Sequence, residues 1–199
     1  MLTNIRALFR RYKRETDGSV SVEFAFYMPL LLGVFAAIYT YFDAFRQEGV
    51  NLKAAYTISD LISRETSTLN EDYIDSMHEL AKLLIRVDSS ISLRISVIRW
   101  DETDNRYYVD WSKVRGGQFA EWQDATIQQV KANLPNMPDQ ERVILVETRN
   151  DIDPAFNIGL PAMDIENFVF TRPRFAPQVK FEGQDGSGGG HDDSTPPTD

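Results

Sequence analysis

The carboxylate of Glu23 stands immediately before the longest uncharged run in this sequence. The 19 residues from Phe24 to Phe42 carry no charged side chain. As a helix rising about 1.5 Å per residue, they would extend roughly 28 Å, which is close to the hydrocarbon thickness of a bilayer. A charge beside such a run is costly and usually has a functional reason. Glu23 is therefore the first candidate for function; the alternative is a side chain that only reaches the interface or is protonated.

Residues that commonly perform catalysis are few or poorly placed. The chain has no cysteine and two histidines, His78 and His191, which removes thiolate zinc sites and cysteine nucleophiles. We expect His78 to be a partly exposed structural residue beside the apolar stripe of a helix. His191 lies in a polar tail that is predicted to be disordered, so it is a poor candidate for any preorganised site. The sequence contains no phosphate-binding glycine loop, no His-Glu-x-x-His helix and no Gly-x-Ser-x-Gly elbow.

Carboxylates occur in pairs and in one short cluster, all in segments predicted as loops or tail. The pairs Asp151 with Asp153 and Asp192 with Asp193 lack the shielded setting that shifts a carboxyl pKa for acid–base work. The acidic segment 101–105 could hold calcium, but it lacks the glycine and the distal glutamate of a calcium loop. A solvated turn is the favoured interpretation. We expect no enzyme activity, no metal site and no cofactor.

Charge is distributed unevenly along the chain. Residues 1–18 contain five basic and two acidic side chains, a balance of +3, so the net charge of −9 leaves −12 for residues 19–199. An acidic body argues against nucleic acid as the main partner. A basic head, an apolar run and an acidic body predict a single-pass protein of the inner membrane, because positive residues favour the cytoplasmic side. The N-terminus would be cytoplasmic and the body periplasmic.

The uncharged run has the features of a membrane helix that meets other helices. Pro29 should kink or loosen it, because proline cannot complete the helical hydrogen-bond ladder. Gly33 offers a small surface at which a second helix could approach closely, although a lone glycine is also ordinary in membrane helices. Aromatic residues cluster at its far end, as in the belt at a membrane interface. They are Tyr39, Tyr41 and Phe42.

After the run, apolar spacings of three and four predict helices. The first helix continues to about Arg64, with Gly49 as a possible bend where it leaves the lipid. A second helix begins after the N-cap Asn70, with acidic residues in its first turn. Its predicted buried stripe comprises Ile74, Met77, Leu80, Ala81 and Leu84.

The period then changes to two, which predicts strands. A half-buried strand covers 91–97, with a bulge near Val97 and Ile98, and a hairpin returns through 107–111. A turn at Gly116 and Gly117 precedes a short helix over 124–134. Residues 142–148 read as a strand buried on both faces, with Glu147 at its end, and 166–170 as a last strand. The predicted fold class is α+β, with a long N-terminal transmembrane helix and a small body containing an antiparallel sheet.

These elements suggest four regions. Residues 1–18 form a basic cytoplasmic leader, 19–66 the transmembrane and assembly helix, and 67–182 a periplasmic α+β domain. Residues 183–199 form an acidic tail whose composition predicts disorder. On hydropathy alone, the leader and run read as an uncleaved signal anchor, because no Ala-x-Ala-like site follows Phe42.

The opening stretch resembles a known family pattern. The segment 18–32, Gly-Ser-Val-Ser-Val-Glu-Phe-Ala-Phe-Tyr-Met-Pro-Leu-Leu-Leu, is similar to the start of TadE/TadF-like pseudopilins of the Tad (Flp) tight-adherence pilus system. A glycine ends a short basic leader, and a glutamate stands fifth in the chain that follows. The matching positions are Gly18, Val22, Glu23, Phe24, Pro29 and Leu30 to Leu32. The resemblance covers about 25 residues and does not separate TadE from TadF.

The resemblance implies a pilin-like protein that is processed and assembled. A prepilin peptidase would cut between Gly18 and Ser19 and free an α-amine on Ser19. Glu23 and Phe24 would set the assembly register, with Glu23 pairing with the Ser19 α-amine of a neighbouring subunit. Pro29 and Gly33 would shape helix packing. Implied partners are the peptidase, other pseudopilins or the pilin of the same system, inner-membrane pilus assembly proteins and membrane lipid.

Two other interpretations stay open. A signal-anchored periplasmic binding or hydrolytic domain, unrelated to pili, would also have a basic head, an apolar run and a soluble body. A pseudopilin of a general secretion system would share the processing site and the assembly helix. The chain is far longer than a main Flp pilin, so a minor subunit is expected.

Overall fold

The computed structural model describes residues 19–85, 91–152, 156 and 163–184 of this 199-residue chain. The predicted leader with Gly18, the residues Asp153 and His191, and the acidic pair at 192 and 193 lie outside the described residues. The same holds for the predicted disordered tail from residue 185 onward.

The first helix, α1, is one continuous element of 45 residues, Ser19–Ser63. It passes through Pro29 and Gly49 and ends one residue before the predicted limit at Arg64. Its second half buries a stripe at helical spacing that includes Ala54, Ile58 and Ile62. Small residues beside that stripe, such as Ala55, let the helix lie close to the sheet. This half of α1 therefore belongs to the body of the protein.

The second helix, α2, spans Glu71–Ile85 and begins as the sequence predicts. The side-chain oxygen of Asn70 accepts the backbone N–H of Tyr73 at 2.9 Å, which caps one of the free donors of the first turn. Hydrogen bonds from Arg115, and then from Lys113, hold the pKa of the Glu71 carboxyl below its ordinary value. The start of α2 is therefore fastened to the neighbouring strand.

Four strands form one antiparallel sheet. They are β1 (Ile91–Asp101), β2 (Arg106–Arg115), β3 (Arg142–Ile152) and β4 (Met163–Thr171). The order across the sheet is β2-β1-β3-β4. The α+β class and the antiparallel sheet are as predicted, and β3 and β4 are longer than the sequence pattern indicated.

The predicted bulge is confirmed between β1 and β2. Val97 pairs with Trp111, whereas Ile98 pairs with Val109, so Asp110 is an extra residue on β2. The extra residue changes the facing of β2: Tyr107 and Val109 pack in one core of the sheet, whereas Trp111 packs in the other. β1 keeps a regular alternation against β3, and Ile98 follows Val97 because each face of β1 packs in a core of its own.

The sheet carries a hydrophobic core on each face. On one face α1 and α2 cover the odd-numbered residues of β1, including Leu93 and Ile95, together with Ile144 and Val146 of β3. The opposite core contains Ile98, Tyr107, Ile127, Leu134, Met137, Val143 and Leu145. Both layers exclude water from the central strands.

The expectation that β1 is half-buried is therefore wrong. Its residues Ile91 to Arg99 are all buried, because the segment 116–141 folds over the face that the alternation assigned to solvent. The polar side chains of that face find partners there. Ser96 bonds with the hydroxyl of Ser112 at 2.8 Å, and Ser92 accepts the backbone N–H of Gln118 at 3.1 Å.

The covering segment contains a short helix, as predicted, but of a tighter type. It is a 3₁₀ helix over Ile127–Asn133, shorter than the predicted 124–134. Leu134 has an extended backbone, as favoured for a residue before Pro135. A length of seven residues is typical of a connector that fills a surface layer and not of an independent helix.

After β4 the chain crosses the helical face of the sheet. The N–H of Arg174 donates to Ser63 O at 2.8 Å, and Leu69 exchanges backbone hydrogen bonds with Lys180 and Glu182. Phe181 is buried in the helix-side core, and Trp111 donates its indole N–H to Val179 O at 2.8 Å. This crossing segment, residues 172–182, closes the core where α1 ends.

Replacing Gly116 by alanine should destabilise the body. Gly116 has φ of +85°, and an added Cβ would lie 2.5 Å from Ser92 Oγ and 2.7 Å from Ile91 O. We expect Gly116→Ala to lower the free energy of unfolding of the full chain by about 1–3 kcal/mol, measured by urea titration. Gly117→Ala is the matched control, because its Cβ would meet no atom within 4 Å. Equal stability of the two variants would contradict this account of the turn.

Candidate functional site

The first half of α1 projects from the body with its apolar side chains uncovered. Large hydrophobic residues are exposed on all sides of the helix between Val20 and Phe45; Phe24, for example, is 60% exposed. Among the described residues, α1 is the one helix that is long and apolar enough to cross a membrane. An uncovered apolar surface of this size is typical of a region that contacts a membrane or another protein. This half of α1 is the candidate functional site, and we call it the apolar segment.

The predicted processing and register residues lie at the start of this segment. Ser19 is the first residue of α1, and Gly18 precedes the described residues. Glu23 follows one turn after Ser19, and both Glu23 and Phe24 are exposed. In the part of the chain that the structure describes, no side chain forms a hydrogen bond or an ion pair with Glu23. Its carboxylate is therefore directed to the surroundings and not to the body.

The predicted packing residues also face outward. Pro29 lies inside α1, where it supplies no N–H to the helical ladder. A Cβ built on Gly33 would meet no atom within 4 Å. The glycine is therefore not needed for packing within this chain, and its small surface is open to a second helix.

The apolar segment meets the body near its aromatic end. The rings of Tyr39 and Phe156 are 6.0 Å apart in an edge-to-face arrangement, and Thr40 is buried with its hydroxyl bonded to Ala36 O at 2.8 Å. Tyr41 and Phe42 stay exposed. The predicted aromatic belt thus coincides with the level at which the body begins.

The body contains a buried ion pair that the sequence analysis did not identify. Arg94 of β1 donates to Glu147 of β3 through Nε at 2.6 Å and Nη2 at 2.5 Å. Its guanidinium lies 4.0 Å from the ring centre of Trp122 and 4.5 Å from that of Phe119. The indole N–H of Trp122 donates to the same carboxylate at 2.7 Å, and Arg94 Nη1 donates to Ala120 O at 2.8 Å.

This arrangement fastens the covering segment to the sheet. Each nitrogen of the Arg94 guanidinium and each oxygen of the Glu147 carboxylate has a protein partner, as in a structural ion pair. The prediction that Glu147 stands at a strand end is wrong, because β3 continues to Ile152. The sequence pattern holds no signal for this pair, because Arg94 stands between Ser92 and Ser96 on the alternating face of β1, as it would on a strand that faces solvent.

A second charged group lies at the bulge. The carboxylate of Asp110 accepts a hydrogen bond from Arg142 Nε at 2.7 Å, and Arg99 Nε lies 3.8 Å from it. Burial raises the pKa of the Asp110 carboxyl, and the hydrogen bond with Arg142 acts in the opposite direction. The two arginines are opposite each other on β1 and β3, so Asp110 separates two like charges. Its role is also structural.

The other chemically interesting residues are engaged in local structure. His78 is half-buried and donates from Nε2 to Ile91 O at 2.9 Å, since a carbonyl oxygen only accepts. In the acidic turn, Asp101 accepts the N–H of Asp104 at 3.1 Å, and Asp104 accepts the hydroxyl of Tyr108. Within the described ranges, no group of three or more His, Asp or Glu side chains is arranged to hold a metal ion.

Comparison with protein-family models, with curated proteins and with solved structures finds no match to this chain.

Breaking the buried ion pair should lower the free energy of unfolding more than breaking an exposed ion pair. We expect Glu147→Ala to lower the free energy of unfolding by about 3–5 kcal/mol, because it leaves the Arg94 charge buried without its partner. In a double variant, Arg94→Met with Glu147→Leu, much of the loss should be recovered, since no charge remains to be desolvated.

The exposed pair between Arg149 and Asp164 is the matched control. Arg149→Ala should change the unfolding free energy by about 0–1 kcal/mol. Chemical denaturation of the full chain measures all three variants. A Glu147→Ala loss no greater than that of Arg149→Ala would contradict the role assigned to the pair.

Proposed function

We propose that this protein is a minor pseudopilin, TadE/TadF-like, needed for assembly of a Tad (Flp) type IV pilus. In this proposal the apolar segment inserts in the inner membrane and the body is periplasmic. A prepilin peptidase removes residues 1–18, and the mature chain begins at Ser19. The protein then joins other pseudopilins, the pilin or the inner-membrane assembly proteins through its helix.

The observation that carries this proposal is the continuity of α1. One uninterrupted helix has a first half that is exposed and apolar all round and a second half that packs on an antiparallel sheet. A pilin-like subunit requires this combination, because the same helix must insert in lipid, bind other helices and hold the body in a fixed orientation. A signal anchor joined by a flexible linker would not couple its helix to the body in this way.

Glu23 supplies the second support. Its carboxylate is exposed at the edge of the apolar segment and has no partner within the described part of the chain. An ionised group without a partner costs a few kcal/mol at membrane depth. Pairing with the α-amine of Ser19 in a neighbouring chain would neutralise both charges. Parallel helices would then be offset by four residues, about 6 Å along the axis.

A signal-anchored binding or hydrolytic domain is the competing function. Nothing in the described residues favours it: the buried charges are paired with each other, and His78 is bonded to the backbone. The two functions differ in what happens to the N-terminus, because a signal anchor keeps residues 1–18.

The N-terminus of the mature protein tests the processing step. In cells that contain the pilus peptidase, intact-mass and N-terminal analysis should find a chain that starts at Ser19. Gly18→Leu should retain Met1, because a bulky side chain hinders the extended backbone at the cleavage site. Gly33→Leu, a similar change beyond that site, should be cut normally. A wild-type chain that begins at Met1 in these cells would rule out processing.

The Glu23 carboxylate is tested separately. Glu23→Ala should insert in the membrane at the wild-type level, whereas pilus production falls by about tenfold or more, since the lost pairing is worth a few kcal/mol. Glu102→Ala is the matched control, because Glu102 is an exposed glutamate outside α1. Counts of surface pili and membrane fractionation measure the two effects. Wild-type piliation of the Glu23 variant would contradict the proposal that Glu23 sets the assembly register.

A further inference from the structure

The exposed apolar face of α1 does not end with the apolar segment. Phe45 is 68% exposed, Leu52 39% and Tyr56 58%. Gly49 lies between them, and a Cβ built on it would meet no atom within 4 Å. The four residues follow one another at intervals of four, three and four, which places them on one face of the helix, like the a and d positions of a heptad repeat. We call these four residues the outer stripe.

The outer stripe is directed away from the body. Leu52 and Tyr56 each stand two residues before a core residue, which is Ala54 in the first case and Ile58 in the second. Two residues correspond to about 160° around a helix of 3.6 residues per turn. The sheet therefore lies behind the stripe, and a second helix can lie along it without displacing the body.

Opposite charges flank the outer stripe. Arg46 and Lys53 lie along one edge, in the e positions of the heptad, and Glu48 lies along the other edge, in a g position. The side chain of Arg46 is 78% exposed, and its Nη1 is 3.7 Å from Asp43 Oδ1. In the part of the chain that the structure describes, the side chains of Lys53 and Glu48 are exposed and form no hydrogen bond or ion pair.

The start of β4 widens the acidic edge. A groove of about 350 Å³ lies there, lined by α1 residues from Tyr41 to Glu48 and by residues 164–166 of β4. Asp164 is already paired with Arg149 at 2.5 Å. Glu166 is exposed, and no described residue forms a hydrogen bond or an ion pair with its side chain. Two carboxylates, those of Glu48 and Glu166, therefore lie at this groove without a cation.

A parallel pair of helices brings these edges together. If α1 inserts as proposed above, two copies in one membrane run parallel and can lie at the same depth. A two-fold axis along the helices then sets the outer stripes face to face. The same rotation places the basic edge of each copy beside the acidic edge of the other. Glu48 of one copy lies beside Lys53 of the other, as g and e positions do in a parallel coiled coil.

We propose that two copies of this protein pair through the outer stripe as a parallel two-stranded coiled coil. The apolar side chains of the stripe are shielded between the helices, and Arg46 of each copy enters the groove of the other toward Glu166. Each copy contributes both edges, so the pair closes on itself. This contact is separate from the pairing of Glu23 with Ser19, which offsets two helices by about 6 Å.

Mixing of charge-reversed chains tests the pair. The mature full-length chain has no cysteine, so Gly117→Cys can be labelled with a donor or an acceptor dye. Energy transfer between copies is measured in phosphatidylcholine vesicles at decreasing ratios of protein to lipid. One variant carries Arg46→Glu with Lys53→Glu, and the other carries Glu48→Arg with Glu166→Arg. Tryptophan fluorescence during thermal unfolding confirms that both variants fold.

Each variant alone should associate about tenfold or more weakly than the wild type, because the charge pairs become repulsive on both sides of the two-fold axis. An equimolar mixture of the two should recover most of the wild-type association, since each reversed edge then meets its complement. Glu102→Arg is the matched control, because Glu102 is an exposed glutamate outside this surface. It should associate like the wild type.

Other outcomes overturn the inference. No energy transfer between wild-type copies would do so, as would normal association of the single variants or a mixture that recovers nothing. Variants that lower piliation without changing self-association would assign the outer stripe to a helix of a different protein. The pseudopilin proposal fails separately: a chain that begins at Met1 would contradict processing, yet it should still pair. Cleavage after Gly18 in a chain that stays monomeric would remove this inference alone.

Discussion

The structure depends on one helix that must satisfy two different environments. The apolar segment of α1 exposes side chains such as Phe24 and Leu31, whereas the second half buries Ile58 and Ile62 against the sheet. A helix satisfies its own backbone hydrogen bonds, so it can leave the body and enter lipid without exposing unpaired N–H and C=O groups. The chain does not need a linker at this boundary. The orientation of the body relative to the apolar segment is then set by the packing of the second half of α1 on the sheet.

That packing requires the sheet to be rigid, and the buried charges contribute to it. Covering the second face of the sheet takes Arg94 out of water, which is tolerated because Glu147 and Trp122 receive it. The same pair holds the segment 116–141 on the sheet. A buried ion pair adds little net stability compared with an apolar core. Its contribution here is to fix one register for β1, β3 and the covering segment.

Local signals made part of the fold predictable. The N-cap Asn70 and the acidic first turn of α2 are contained within a few residues. The bulge was predicted from Ile98, but β1 alternates regularly there and the extra residue is Asp110 on β2. The uncharged run and the exposed Glu23 were also readable, because both depend on composition alone. Burial of Arg94 was not readable, since the alternation of β1 is the same whether its second face meets water or another segment.

Two further features depend on contacts between distant parts of the chain. Residues 172–182 have no period that predicts a crossing, yet Phe181 is buried with its ring centre 5.3 Å from that of Trp111 on β2. Asn51 was not predictable for the same reason: it reads as an ordinary polar residue of a helix surface, yet it is 1% exposed where α2 ends beside it.

The polar residues at the boundary follow from the continuity of α1. The uncharged run ends at Asp43, and the polar side chains that follow it bond within α1. Gln47 donates to Asp43 Oδ2 at 2.7 Å, and Asn51 donates to Gln47 O at 2.9 Å. On an isolated helix in water such side chains would bond to solvent, whereas here the end of α2 lies beside them and Asn51 is 1% exposed. Local bonds along α1 therefore let one helix pass from an uncovered surface into the body without a linker.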